Sequence, residues 1–232
     1  MYKKKKGKLL LKVKEKVKKI NYESKIIKIN KPSFSLLEII FVLIIISIIT
    51  SQIIPKKQIS KLNLATDKII SYLHYTRYIA HIDNKFDIND EEWERKRWTL
   101  KFQNCNKSIG GLYYLVYSDM YGGTAHIKKE DTLKDPTNNR YLYSNACEED
   151  LLNDKSKSIL LTQEYEITKV DVSCNTTSTI GQISFGYDGK IYSQLGTNIK
   201  EITKTCIIKL MDKENNYTQI AVEPKTGYIH KI

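Results

Sequence analysis

Four cysteines, four histidines and one carboxylate inside an apolar run are the residues of this chain whose types and spacing invite chemistry. Cys105, Cys147, Cys174 and Cys206 stand 42, 27 and 32 residues apart, with no Cys-x-x-Cys pair of the kind that holds zinc. An even count without that spacing points to two disulfides and to an oxidising compartment. Three connectivities are open. The expected one pairs Cys105 with Cys147 and Cys174 with Cys206, because the latter two each flank a strand pattern. His74 and His81 are seven residues apart, about 10.5 Å along a helix, too far to share one metal ion directly. His126 and His230 have no neighbours at a recognisable spacing. Asp87-x-Asn89-x-Glu91 echoes the start of a calcium loop, but it lacks glycine at the sixth position and carries Trp98 at the twelfth. It reads instead as a solvated loop with helix-capping aspartates. A Gly-rich phosphate loop, a nucleophile elbow and a His-Glu-x-x-His pair are all missing from the sequence. The chain is therefore read as non-catalytic, with no metal and no cofactor expected.

The carboxylate is Glu38. It is the single charge in the run from Phe34 to Ile54, whose other polar members are Ser35, Ser47, Thr50, Ser51 and Gln52, with Pro55 closing it. Those 21 residues make a helix of about 31 Å, enough to cross the hydrocarbon core of a bilayer. A secretory signal peptide has a core of only about 7–15 apolar residues and a small-residue cleavage site; this run is longer and ends in bulky side chains. An acid at the bilayer centre costs roughly 2.5–3.5 kcal/mol, and less near an interface. A carboxylate that merely snorkels to the headgroups is the plain reading of Glu38.

Charge sets the direction of that span. Residues 1–33 hold thirteen lysines against two glutamates, so only +1 of the chain's +12 belongs to the remaining 199 residues. A basic chain raises nucleic-acid binding as a possibility, but the excess here lies beside an apolar helix, where it holds the N-terminus in the cytoplasm. The body then faces the periplasm, which agrees with the cysteines.

Past Pro55 the helical period resumes, with Ile59, Leu62, Ala65, Ile69, Leu73, Thr76 and Ala80 on one stripe and Lys57, Lys61, Lys68 and Arg77 off it. Loss of the Pro55 N–H would allow a kink at the bilayer exit. The helix fades into the acidic loop 83–91. From Trp98 the chain reads as strands: 97–102, 111–117, 165–172, 182–187, 190–193, 205–211 and 217–223. Asp188-Gly189 marks a hairpin and Pro224-Lys225-Thr226-Gly227 another turn, while 118–158 is an irregular excursion. The run Tyr113–Tyr117 reads as core strand rather than as a stacking platform for nucleic acid, and Arg95-Lys96-Arg97 as a solvated cluster. Glu214-x-Asn216-x-Thr218 fits an acidic bacterial glycosylation sequon but reads as an unmodified loop. The expected segments are a basic leader 1–33, a membrane helix 34–55, an amphipathic helix 56–84 and a β-rich domain 85–232.

The residues around Glu38 carry a likeness. Lys31-Pro32-Ser33 followed by Phe34-Ser35-Leu36-Leu37-Glu38-Ile39-Ile40-Phe41-Val42-Leu43-Ile44, with Pro55 in register, resembles the prepilin peptidase motif of type IV pilins and type II secretion pseudopilins. The resemblance implies cleavage between Ser33 and Phe34, N-methylation of Phe34, and a role for Glu38 in docking one subunit on the next. Two departures stand out: Ser33 occupies the place usually held by glycine, and the leader is long. Phe185–Gly189, Ile207-Ile208-Lys209-Leu210, Ile220-Ala221-Val222, Thr226–Ile229 and the helix Leu73–Ala80 look like the GspH/FimT-type minor pseudopilins. What that implies is an α+β, pilin-like fold: a long N-terminal helix, half in the membrane and half amphipathic, packed on a C-terminal antiparallel β domain of sandwich-like form. The function implied is that of a minor pseudopilin in a type II secretion pseudopilus or type IV pilus machine. Its partners would be other pilins or pseudopilins, the prepilin peptidase, the inner-membrane assembly platform and membrane lipid. A FimT-like DNA-uptake or adhesive pilin, and a simple signal-anchored periplasmic scaffold, are the alternatives; a near-neutral body disfavours DNA.

Overall fold

An eight-residue stripe organises the larger part of the molecule. Leu62, Ala65, Thr66, Ile69, Tyr72, Leu73, Thr76 and Ala80 are all buried on helix α2 (Lys61–Ile82), at the spacing of three and four that places them on one face. The computed structural model describes residues 35–53, 60–83, 85–118, 127–148, 153–194, 196 and 200–232. The chain divides into two units, Met1–Lys57 and Gln58–Ile232. In the first, the described element is helix α1 (Leu36–Ile53).

The second unit is α+β, with two antiparallel four-stranded sheets. Strands β1 (Trp98–Asn104), β2 (Leu112–Ser118), β4 (Gly181–Phe185) and β5 (Ile191–Tyr192) form one, in the order β2-β1-β4-β5. Strands β3 (Ile167–Val172), β6 (Cys206–Asp212), β7 (Tyr217–Val222) and β8 (Ile229–Lys231) form the other, in the order β3-β6-β7-β8. Register aligns apolar residues: Leu100 faces Val116 and Ile183 in the first sheet, and Ile208 faces Ile220 in the second. Helix α2 lies against β1 of one sheet and β7 of the other, so its stripe is shared between them. Leu73, Ile69, Leu100, Phe102, Ile183, Leu210 and Ile220 are essentially sealed from solvent. Each such side chain contributes roughly 1.5–3 kcal/mol by leaving water.

The hydroxyls on the stripe are satisfied locally. Thr66 donates to the Leu62 carbonyl and shares a 2.6 Å hydrogen bond with Thr218, and Thr76 donates to the Tyr72 carbonyl. At its C-terminus the helix stops where the Asp83 carboxylate is taken by Trp98 Nε1 at 2.7 Å and Lys85 Nζ at 2.9 Å.

The two disulfides have the expected connectivity. Cys105–Cys147 joins the end of β1 to the excursion, and Cys174–Cys206 joins the end of β3 to the start of β6. Their Cα separations of 5.1 and 5.2 Å are those of ordinary bridges. Closing loops of 42 and 32 residues restricts the unfolded chain by roughly 2–4 kcal/mol each.

Two local expectations are revised and a third holds. The segment expected as strand from Tyr165 begins instead with a short helix, α3 (Leu161–Tyr165); Glu166 at φ 60° reverses the chain, and β3 starts at Ile167. The Glu166 N–H closes the helix by donating to the Leu161 and Thr162 carbonyls, and Lys61 and Lys213 both pair with its carboxylate at 2.6 Å. Those two ammonium groups bring its pKa down to about 2, the Lys213 contact being the larger influence. The strand expected to reach Tyr187 ends at Phe185, because the turn is longer than the two residues Asp188-Gly189: Gly186 N–H donates to the Lys190 carbonyl, and Gly189 takes φ 82°. Tyr187 therefore sits on a hairpin tip. Finally, β2 is buried at every position. Its outer edge is closed by the excursion, where Leu133 donates to the Val116 carbonyl and Val116 to that of Leu142. The Tyr113–Tyr117 run is core strand, as its composition indicates.

The excursion is organised by one carboxylate. Asp135, 1 % exposed, accepts hydrogen bonds from the Thr137 amide and hydroxyl, Asn138 Nδ2, and the Ser156 and Ser158 hydroxyls. Tyr72 on α2 bonds Ser158 at 2.9 Å and so ties the hub to the helix. Burial pushes the Asp135 pKa up, but the donors, Ser156 and Thr137 foremost, outweigh it and bring the group down to about 2. A carboxyl held below its free value stabilises the fold above pH about 4, and that contribution is lost as pH falls through about 2. Asp135→Asn keeps the size but removes two acceptor sites. It is expected to cost about 1–3 kcal/mol at neutral pH and to flatten the stability profile between pH 4 and 2, measured by urea titration at a series of pH values. An unchanged profile in that window would remove the hub from the account.

Candidate functional site

Helix α1 begins where Ser35 supplies a cap. Its side-chain oxygen accepts the Glu38 amide at 3.2 Å, and its carbonyl accepts the amides of Glu38 at 3.0 Å and Ile39 at 3.3 Å. Ser35-x-x-Glu38 has the composition of a capping box, and an acid in the first turn is favoured by the helix dipole. Glu38 therefore stands where local helix chemistry tolerates a negative charge best. The serine three residues before it is the sequence signal for this cap, a local role additional to the snorkelling and docking readings of Glu38.

Beyond Glu38 the helix has no polar face. Leu36 to Ile49 expose their apolar side chains on every side, from 78 % at Leu36 to 48 % at Ile40, Val42 and Ile49. This differs from the single stripe of α2 and marks a helix whose whole circumference needs cover from outside its own unit. Its hydroxyls are turned inward: Ser47 donates to the Leu43 carbonyl at 2.7 Å and Thr50 to that of Ile46 at 2.9 Å. Polar groups satisfied within their own segment are what a waterless surrounding requires. The eighteen residues Leu36–Ile53 measure about 27 Å, against roughly 30 Å for a bilayer core. Among the described residues no helix is long and apolar enough to cross a membrane. The expected span 34–55 extends past them: Ser33, Phe34 and Pro55, the expected cleavage, methylation and kink positions, lie outside the described residues, whereas Glu38 lies within them.

On the larger unit, the side chains with chemical potential are mostly engaged. The Asp87 carboxylate accepts the Asn89 amide and that of Asp90 the Glu92 amide, so this loop is a pair of Asx turns. No three His, Cys, Asp or Glu side chains among the described residues are placed to hold a metal ion. In the basic triad, Arg95 pairs with Glu92 and Lys96 with Asp90, while Arg97, buried, lies 3.4 Å above the Tyr192 ring. The triad is therefore not the exposed cationic face that a phosphate backbone would need. His74 is pulled below its ordinary pKa, by burial first and by Arg77 second. His81 Nδ1 meets the Tyr187 carbonyl at 3.0 Å, so the two helix histidines serve separate contacts.

One feature of this surface was not foreseen. Phe86, Trp93 and Tyr187 come together from the loop after α2, a 3₁₀ turn (Trp93–Arg95) and the β4–β5 hairpin tip, with ring centroids 5.3 and 5.0 Å apart. The signal available was Phe86, Ile88 and Trp93, three large apolar side chains in the otherwise polar segment 83–97. Comparison with protein-family models, curated proteins and solved structures finds no match to this chain.

Proposed function

We propose that the chain is a non-catalytic, membrane-anchored assembly subunit of the pilin-like kind, resembling the minor pseudopilins. The observation that carries this reading is α1: an apolar surface on every side, hydroxyls turned onto their own helix, and a single carboxylate in its first turn. Lipid covers such a helix before assembly, and other apolar helices cover it afterwards. The pilin-like plan, one helix continuing from the membrane onto the β domain, is the finer form of this proposal. The engaged triad Arg95-Lys96-Arg97 weighs against DNA uptake as the main role.

Chemistry enters at the junction. Cleavage between Ser33 and Phe34 by a prepilin peptidase would leave an amine at Phe34, one helical turn from Glu38. In a bundle of such helices, the Glu38 carboxylate of one subunit meets the amine of the next, and pairing offsets the desolvation that each charge suffers alone. The charge that is costly in a single helix thus selects a register between two. Removing the leader also removes the +11 that holds residues 1–33 at the cytoplasmic face. The inner-membrane platform and other pilin-like subunits are the partners this requires.

Two outcomes are expected. Co-expressed with a prepilin peptidase, protein purified from membranes should have the intact mass of residues 34–232 plus one methyl group; a full-length mass under those conditions favours the plain signal-anchored scaffold. Glu38→Ala should reach the membrane at normal level but co-assemble with other pilin-like subunits at least about tenfold less well. Co-assembly at the wild-type level would reduce Glu38 to a helix-capping residue.

A further inference from the structure

At the C-terminal end of α2 a cleft of about 350 Å³ opens between the loop 85–97 and the β4–β5 hairpin tip. Its volume is at the lower end of the roughly 300–1,000 Å³ typical of small-molecule sites. Phe86 and Tyr187 are 59 % and 54 % exposed, and the half-buried Trp93 lies between them. The Trp93 and Tyr187 planes are inclined by 43°, and Phe86 stands at 80° to the indole, so the three rings make a corner rather than a flat wall. A domain this size has ample core in which to bury three rings. Leaving Phe86 and Tyr187 more than half exposed forgoes much of the stabilisation that their burial would give.

The polar groups around the rings decide what could lie there. Lys85 is held by Asp83 at 2.9 Å, Lys96 by Asp90, and Arg97 by the face of Tyr192. Lys85, Lys96 and Arg97 stand against Asp83, Asp90 and Glu94, so the cleft carries no excess of positive charge for a polyanion. An apolar peptide side chain would favour a dry slot, whereas carboxylates and ammonium groups line this one. Partly exposed aromatic rings beside balanced charged groups suit a neutral, polyhydroxylated ring. Its C–H face rests on the negative face of an arene, and its hydroxyls both donate and accept. Glu94 supplies an acceptor at the rim, where the Tyr187 hydroxyl reaches it at a long 3.4 Å.

We infer that this cleft is a binding site for a neutral saccharide chain, with Trp93 and Tyr187 as the stacking surface and Phe86 as the side wall. The site is independent of how α1 is used. It places a recognition surface on a subunit whose other features serve assembly.

Both tryptophans of the chain, Trp93 and Trp98, line the cleft, so intrinsic fluorescence reads it directly. Full-length protein in detergent micelles is titrated with the β-1,4-linked tetramers of glucose and of N-acetylglucosamine, and with a single-stranded oligothymidylate. A saturable change with at least one tetramer, insensitive to salt, is expected. Tyr187→Ala and Phe86→Ala should each weaken it by about three- to tenfold. Trp93→Ala should abolish it, with Trp98 still reporting and far-UV circular dichroism unchanged. No saturable change with either tetramer overturns the inference. So does binding that survives Trp93→Ala and Tyr187→Ala undiminished, since the sugar then sits elsewhere. A response confined to the oligothymidylate and lost with salt would assign the cleft to single-stranded nucleic acid and equally overturn it.

Discussion

Helix α2 cannot bury its stripe against one sheet alone. Ile69 and Leu73 are sealed, and the elements that seal them come from both sheets, β1 on one side and β7 on the other. The strands themselves arrive in an order that requires this. β4 and β5 leave the second sheet's neighbourhood to complete the first, while β3 and β6–β8 make the second. The hairpin tips of the two sheets also meet: a Cβ at Gly227, whose φ is 58°, would lie 3.1 Å from the Gly189 carbonyl and 3.2 Å from the Phe185 ring. The helix and this contact make one core of what could have been two weak sheets.

Against that packed helix, α1 poses the opposite problem. Its side chains have the same apolar character but no preferred side, and the Gln58–Ile232 unit has its own core without it. A stripe solves burial within a chain; a fully apolar circumference asks for a different solvent or for other helices. The inward-turned hydroxyls of Ser47 and Thr50 are consistent with that demand, as is the placement of the one acid in the first turn. Under the proposed function the two tasks are separated, anchoring and assembly on one helix, and folding on the rest.

Much of this was legible in the sequence, and the reasons for the remainder are physical. Leu62, Ala65, Ile69, Leu73, Thr76 and Ala80 declared α2 because a 3.6-residue period survives any tertiary context. The disulfides followed from count and spacing, and the Pro224–Gly227 turn from backbone requirements. The short helix α3 carries no local signal because it ends on Glu166 in the left-handed region rather than on glycine, and the lysines that pair with Glu166 are distant in sequence. Asp135 falls in the excursion 118–158, which the sequence leaves irregular, because its donors Ser156 and Ser158 lie more than twenty residues away. The aromatic cleft draws on three segments, and its third ring depended on where β4 stops. The expected cleavage junction is the reverse case: Ser33, Phe34 and Pro55 are legible as a register in the sequence but lie outside the described residues, whereas Glu38 lies within them.

The central claim is that α1 exchanges lipid for neighbouring helices. A photo-crosslinking phenylalanine analogue placed at Leu43, mid-helix and 58 % exposed, tests it within intact membranes. The account predicts adducts with lipid when the chain is expressed alone, and adducts with other pilin-like subunits when the assembly machinery is present. Cross-links confined to the chain itself, or the same lipid adducts with and without the machinery, would contradict it.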